Sequence, residues 1–269
     1  MTSHYAVFGN PVSHSKSPLI HAEFARQTRQ DLDYRAILAP VESFAAEVEK
    51  FRREGGQGAN VTVPFKEDAC RLASQLTPRA RSAGAVNTLK FDGNEILGDN
   101  TDGAGLVRDL TGNLKQPLAG KRILLMGAGG AARGVIGPLL AEHPAALMLA
   151  NRTPEKAEQL AAQFGHAPKA SSYAALAGQR FDIVINATAA SLKGELPPLP
   201  EQLFNPGALA YDMMYGGETP FMAWASQHGA ERVADGLGML VEQAAESFFL
   251  WRGVRPDTAP AMRLLRGTA

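Results

Sequence analysis

Short apolar runs alternate along the chain with longer stretches of helical period, and this alternation predicts the architecture before any motif is considered. Strands are expected at 5–9, 34–38, 59–63, 88–91, 96–98, 122–126, 146–150, 182–186 and 208–212. Helices are expected at 18–28, 41–53, 67–75, 103–110, 131–142, 154–164, 220–227 and 237–251. Strands that alternate with helices in this way form an α/β fold with largely parallel sheets. Asp92-Gly93, set between two expected strands, is a hairpin signal. The stretch 111–120, with Gly112, Pro117 and Gly120, has the composition of a linker. One α/β domain is therefore expected over 1–102 and a second over 103–236. The helix from Leu237 fits either by pattern alone.

Length agrees with this division: 269 residues at about 150 per domain is roughly two domains. Lys plus Arg and Asp plus Glu are 27 each, so no excess of base points to a nucleic-acid partner. The single Cys70 excludes an internal disulfide framework and a Cys-rich metal site, and no metal is expected. The opening Met1-Thr2-Ser3-His4-Tyr5 lacks a basic region followed by an apolar one. The most apolar long stretch, 123–150, is broken by Arg133, Glu142 and His143 and does not read as a membrane span. The expectation is a cytoplasmic protein with no membrane partner, a monomer or homodimer that handles a small molecule.

In open parallel sheets ligands gather at the carboxyl ends of the strands. The expected strands here end in Gly9-Asn10, Thr62-Val63-Pro64-Phe65-Lys66, Gly127-Ala128-Gly129, Asn151-Arg152, Asn186-Ala187-Thr188 and Asp212-Met213-Met214-Tyr215, where apolar sequence gives way to polar residues and glycine. Gly127-Ala128-Gly129-Gly130-Ala131-Ala132 follows a strand, opens a helix and fits G-x-G-x-x-A. The first glycine permits the tight turn, the second lets the backbone approach a pyrophosphate, and the anion rests on the helix N–H groups. About 20 residues further on, an NAD site usually carries an acid. Here stand Asn151-Arg152-Thr153, and a guanidinium suits a 2′-phosphate, so NADP is expected over NAD. The alternative is a solvated arginine, with Thr153 capping the helix from Pro154.

Other residues allow two readings. Lys66 opens a helix, where a cation opposes the macrodipole, so it is either a solvated surface lysine or a chemically used one. Asp102 before Gly103 and Ser17 before Pro18 both read as helix N-caps. Ser15-Lys16-Ser17 could also bind an anion. Gln243 flanks the apolar stripe Leu237, Leu240, Ala244, Phe248 and Trp251, as a boundary residue would. Asn87 carries no signal of its own.

Longer motifs resolve these choices. Phe8-Gly9-Asn10-Pro11 with Ser13-His14-Ser15-Lys16-Ser17-Pro18, Gly58-Ala59-Asn60-Val61-Thr62-Val63-Pro64-Phe65-Lys66, Gly84-Ala85-Val86-Asn87-Thr88 and Gly98-Asp99-Asn100-Thr101-Asp102-Gly103 resemble the shikimate/quinate dehydrogenase family. So do Asn151-Arg152-Thr153, Tyr211-Asp212-Met213-Met214-Tyr215 and the segment from Asp235 to Gln243. The resemblance runs over about 5–257. It implies an N-terminal open-sheet substrate domain, a Rossmann-type NADP domain, and C-terminal helices over 237–269 that return to the first. It also implies reversible reduction of 3-dehydroshikimate to shikimate by NADPH in aromatic amino-acid biosynthesis.

On this resemblance Lys66 and Asp102 are the catalytic pair. Ser15 and Ser17, with Tyr215, would bind the substrate carboxylate, and Thr62, Asn87 and Gln243 its ring hydroxyls. Gly127, Ala128, Gly129, Gly130, Ala131, Asn151, Arg152, Thr153, Met213 and Gly236 would hold the cofactor. Two departures stand out: Pro78, where relatives can carry an acid, and Ala189 with Ala190, where relatives often have serine. The competing readings are a quinate/shikimate dehydrogenase with relaxed cofactor use and a non-catalytic NADP sensor.

Overall fold

The apolar runs become the strands of two six-stranded sheets. The computed structural model describes residues 2–188, 190 and 194–267. The chain divides into one unit of Met1–Gly105 with Leu240–Ala269, and another of Leu106–Met239.

The first unit holds β1 (Ser3–Gly9), α1 (Ser17–Thr28), β2 (Leu32–Leu38), α2 (Phe44–Arg53), β3 (Gly56–Val61), α3 (Lys66–Leu72), β4 (Gln75–Leu76), α4 (Pro78–Ala83), β5 (Thr88–Asp92), β6 (Glu95–Asp99) and the start of α5 (Asp102–Arg108). Its sheet runs β2-β1-β3-β5-β6-β4. β1 lies parallel to β2 and β3, whereas β5 is antiparallel to both β3 and β6. The mixed order follows from the Asp92-Gly93 hairpin. Gly93 takes φ +56°, a left-handed conformation that glycine adopts without strain, and the chain turns back to pair Asp92 with Glu95. The helix expected over 67–75 stops at Leu72, because Gln75–Leu76 pairs with Leu97–Gly98 as an edge strand.

The second unit contains β7 (Arg122–Met126), α6 (Gly130–Ala141), β8 (Ala146–Ala150), α7 (Pro154–Gln163), β9 (Lys169–Ser171), β10 (Phe181–Asn186), β11 (Phe204–Asp212), α8 (Pro220–Gln227) and β12 (Arg232–Ala234). Every pairing in its sheet is parallel, in the order β12-β11-β10-β7-β8-β9. Strand order therefore reverses between β7 and β10, the topological switch point of a doubly wound sheet. β7 is apolar over 123–126 and β10 over 183–185 because both of their faces are covered there. Ile123, Leu125, Ile183 and Ile185 enter one core layer, and Leu124, Met126 and Val184 the other.

Two further helices follow, α9 (Leu237–Arg252) and α10 (Ala259–Arg266). In the first unit Ile20 and Phe24 of α1 pack on Val241, Ala244 and Phe248 of α9 and on Ala261 of α10. Trp251 ends the apolar stripe of α9. Its ring stacks on Tyr5 at 4.6 Å and its Nε1 donates to the Leu89 carbonyl at 2.9 Å. Gly58 admits this approach, since a Cβ there would stand 2.6 Å from the indole nitrogen. Among the described residues no helix is long and apolar enough to cross a membrane.

Candidate active site

In the first unit, the end of β3 leads through Thr62 and Phe65 into α3, whose first residue is Lys66. Lys66 Nζ lies 2.5 Å from Asp102 Oδ2, with the side chains 21% and 9% exposed. The second oxygen, Oδ1, accepts from Asn87 Nδ2 at 2.8 Å. Asp102 is the first residue of α5, and these side chains engage its carboxylate. The N-cap expectation for Asp102 is thus corrected: it is already the first helical residue, and Lys66 and Asn87 engage its two oxygens. Asn87 stands where the chain enters β5. Its Oδ1 accepts the Thr101 N–H at 2.8 Å, and its Nδ2 also reaches Gln243 Oε1 at 3.3 Å. Gln243 is half-buried on α9 and donates to the Leu240 carbonyl at 2.8 Å, so it is more than a boundary residue.

Hydroxyls back this cluster. Thr88 and Ser247 lie 2.8 Å apart, Thr101 and Ser247 3.2 Å, and Thr88 and Thr101 3.4 Å; in each pair either oxygen can donate. Asn60 Nδ2 donates to Ser247 Oγ at 3.0 Å, and Asn60 Oδ1 accepts from Tyr34 at 2.7 Å.

Ser15 and Ser17 sit at the start of α1. Ser17 is already helical and its N–H donates to Ser15 Oγ at 3.3 Å, so Ser17 is not the N-cap expected from the Ser-Pro pair. The helix begins one residue early because Lys16 itself has helical backbone angles. Thr62 packs its methyl on Gly9, where a Cβ would come within 2.5 Å. Ser17 bonds the side chain of Tyr34, which donates to Asn60, and among the described residues no hydrogen bond joins Ser15, Ser17 or Thr62 directly to Lys66 or Asp102.

Two further polar groups of this unit carry no sequence signal. Arg79, at the start of α4, grips Asp99 with Nε on Oδ1 at 2.7 Å and Nη2 on Oδ2 at 2.5 Å, and its Nη1 donates to Glu246 at 3.1 Å. Burial opposes the Asp99 charge, but the Arg79 bonds and charge outweigh it and hold the carboxyl below its ordinary range. Pro78 opens α4 behind Thr77, whose Oγ1 caps the Ala80 N–H at 3.3 Å. His21 is fully buried, stacked on Tyr34 at 4.2 Å. Among the described residues neither of its ring nitrogens has a hydrogen-bond partner. Burial lowers its pKa to about 3, opposed by the nearby Asn60 amide.

The second unit presents a different surface at the switch point. Gly127, Ala128, Gly129, Gly130, Ala131, Asn151 and Arg152 line a cavity of about 600 Å³, together with Tyr173, Thr188 and Ala190. Gly127 has φ +107° and a Cβ on it would stand 3.1 Å from the Ala187 carbonyl oxygen, so this turn needs glycine. At Gly129 and Gly130 a Cβ would meet nothing within 4 Å, which leaves the backbone there open to a ligand. Gly129 caps α6, and among the described residues no side chain caps that helix end. An uncapped helix N-terminus beside bare backbone fits a pyrophosphate.

Thr153, Met213 and Gly236 do not line this cavity. Thr153 occupies the N-cap position of α7, but among the described residues its hydroxyl closes no cap bond, which corrects the capping expectation. Instead the Asn151 amide takes the Thr153 carbonyl at 2.9 Å. Gly236 lies against Met213, whose carbonyl oxygen would be 2.3 Å from any Cβ there. Tyr215 is half-buried after β11, and burial pushes its phenol up.

Tyr173 and Thr188 had no motif to announce them, although the strand-end rule reaches Thr188 through Asn186-Ala187-Thr188. Burial raises the Tyr173 phenol to about 12, partly opposed by the Arg152 charge. Ala189 is outside the described residues. Among those described, no cluster of His, Cys, Asp and Glu has the makings of a metal site.

Three family profiles match: the shikimate dehydrogenase substrate binding domain over 7–89, shikimate / quinate 5-dehydrogenase over 109–193, and the shikimate 5'-dehydrogenase C-terminal domain over 236–266. A shikimate dehydrogenase (NADP(+)) of Nitrosospira multiformis is 62% identical over 271 residues, covering 100% of this chain and 98% of the relative. One from Dechloromonas aromatica is 63% identical, covering 99% and 98%. Shikimate 5-dehydrogenase from Thermus thermophilus, solved in complex with NADP(H) and shikimate, superposes with a TM-score of 0.89 at 32% identity, covering 100% of both chains. Fold and site together define an α/β dehydrogenase of the dinucleotide-binding class. The chain belongs to the shikimate dehydrogenase family.

Proposed function

We propose that this chain catalyses the reversible, NADP-dependent interconversion of 3-dehydroshikimate and shikimate, a step of aromatic amino-acid biosynthesis. The observation that carries the reading is the 2.5 Å contact of Lys66 Nζ with Asp102, whose other oxygen is held by Asn87. The first unit is the substrate domain and the second the NADP domain. The backbone from Gly127 to Ala131 takes the pyrophosphate. Arg152, with Asn151 and Thr153, takes the 2′-phosphate, and Met213 and Gly236 complete the cofactor's surroundings. Bound there, the reduced nicotinamide supplies a hydride.

A ketone that accepts hydride gains negative charge on its oxygen, which must be neutralised. Lys66 Nζ gives that oxygen a proton and takes it back in the oxidative direction. Asp102 aims the ammonium, and Asn87 fixes Asp102 in turn. The hydroxyls of Ser15, Ser17 and Tyr215 take the substrate carboxylate, while Thr62, Asn87 and Gln243 take the ring hydroxyls. The reading puts the reaction in the cytoplasm, carried out by a monomer or homodimer.

The test is spectrophotometric. Purified protein with NADPH and 3-dehydroshikimate should lose NADPH absorbance, and shikimate with NADP should restore it. No change in either direction overturns the reading, and faster turnover of quinate than of shikimate reassigns the substrate.

A further inference from the structure

We propose that Arg79 is a positioning residue that clamps the turn carrying Asp102 to the helix carrying Gln243; this rests on the functional reading above. The clamp has two jaws. On one side the guanidinium fork takes both oxygens of Asp99, which is 1% exposed. Asp99 Oδ1 also accepts the Thr77 hydroxyl at 2.6 Å and the Asn100 N–H at 2.8 Å. Asn100 continues the chain of bonds, its Nδ2 on the Ala85 carbonyl at 3.0 Å and its Oδ1 accepting the Asp102 N–H at 3.2 Å. The Asp99 carbonyl accepts the Asn87 N–H at 3.0 Å. Asp102 and Asn87 therefore both take their backbone positions from the residues Arg79 grips.

On the other side Arg79 Nη1 meets Glu246 Oε1 at 3.1 Å, and Arg255 holds the other Glu246 oxygen at 2.5 Å. Glu246 is three residues beyond Gln243 on α9, on the same helical face. One side chain thus spans α9 and the turn that follows β6, which also meet where the Thr101 hydroxyl donates to Gln243 Oε1 at 3.3 Å.

The choice of residue points to geometry. A buried ion pair is weak ground for stability, since apolar replacements of similar volume often serve as well. A guanidinium fork, however, fixes a carboxylate in plane and distance, which a lysine cannot do. Misplacement of reacting groups by about 1 Å can cost ~100-fold in rate.

Two variants test this. Arg79→Lys keeps the charge without the fork. The double variant Arg79→Met with Asp99→Leu removes both charges of the pair, leaving no buried charge unpaired between them, although the Thr77 hydroxyl and the Asn100 N–H lose their acceptor. Each is assayed per folded molecule, below its melting temperature. The expected result is a fall in kcat of about 10- to 100-fold with 3-dehydroshikimate in both, with KM for NADPH unchanged. Turnover within twofold of the parent in both variants overturns the proposal, as does a KM for NADPH that moves with kcat. If the parent itself does not reduce 3-dehydroshikimate, the functional reading fails, and the clamp is decided by the side-chain amide NMR signals of Asn87 and Gln243. Signals that shift in Arg79→Lys support it, and signals that stay in place overturn it.

Discussion

The two units build their sites from opposite materials. Around Lys66 and Asp102 the first unit uses side chains that are already bonded to one another, so Lys66, Asp102, Asn87 and Gln243 are held in place before any ligand arrives. Around Gly127–Ala131 the second unit uses bare backbone, an uncapped helix end and open space. Side-chain networks of the first kind are preorganised for charge that develops in a reaction. Backbone cradles of the second kind bind a constant anion and ask only that nothing intrude. Substitutions should therefore act on different quantities in the two places: rate in the first, affinity in the second.

The largest effect expected is at Lys66. Lys66→Ala should lower kcat about 10²- to 10⁴-fold, the span for loss of a general acid, while the Kd for NADPH stays put. Steady-state kinetics with a fluorescence titration would check this, and a matching loss of cofactor affinity would erase the contrast. Next is Arg79→Ala, which leaves Asp99 buried without its partner and should cost about 3 kcal/mol in urea unfolding, at the low end for a broken buried pair because Thr77 and the Asn100 N–H remain. Arg152→Ala should weaken NADP binding by about 1.5–3 kcal/mol and barely alter NAD, which calorimetry with both cofactors measures. Equal losses would show that Arg152 does not read the 2′-phosphate.

The last effect appears only in acid. His21 stays neutral in the fold because its pKa is depressed to about 3, whereas in the unfolded chain it binds a proton near its ordinary value of 6.5. Its contribution to stability is therefore complete above that value and is lost as pH falls toward 3, by at most about 1.4 kcal/mol per pH unit. His21→Phe keeps the stacking on Tyr34 and should flatten the pH dependence of urea midpoints between pH 6 and 4 by roughly that slope. An unchanged slope would show that His21 is not the group that titrates.

Legibility in the sequence followed length and locality. β7 and β8 matched the expected bounds because each is a continuous apolar run closed by polar or glycine residues. Gln75–Leu76, Lys169–Ser171 and Arg232–Ala234 escaped notice: two or three residues at a sheet edge carry no period. α4 escaped as well, since Pro78–Ala83 is too short and too basic to show an apolar face. Within the site, the glycine turn was legible from spacing alone. Lys66 and Asp102, 36 residues apart, gave only a cation at a helix start and a cap-like aspartate, and the family resemblance had to join them. Arg79 and Asp99 could not be joined at all, because their contact is made by tertiary folding and neither lies in a periodic pattern.

The hydroxyls of Thr88, Thr101 and Ser247 have one more consequence. A row of alcohols in which either oxygen can donate has two proton arrangements on a single set of heavy atoms. Passing from one to the other takes rotation about C–O bonds and no shift of the backbone. The wall behind Asn87 can therefore exchange its own protons while every heavy atom holds its place.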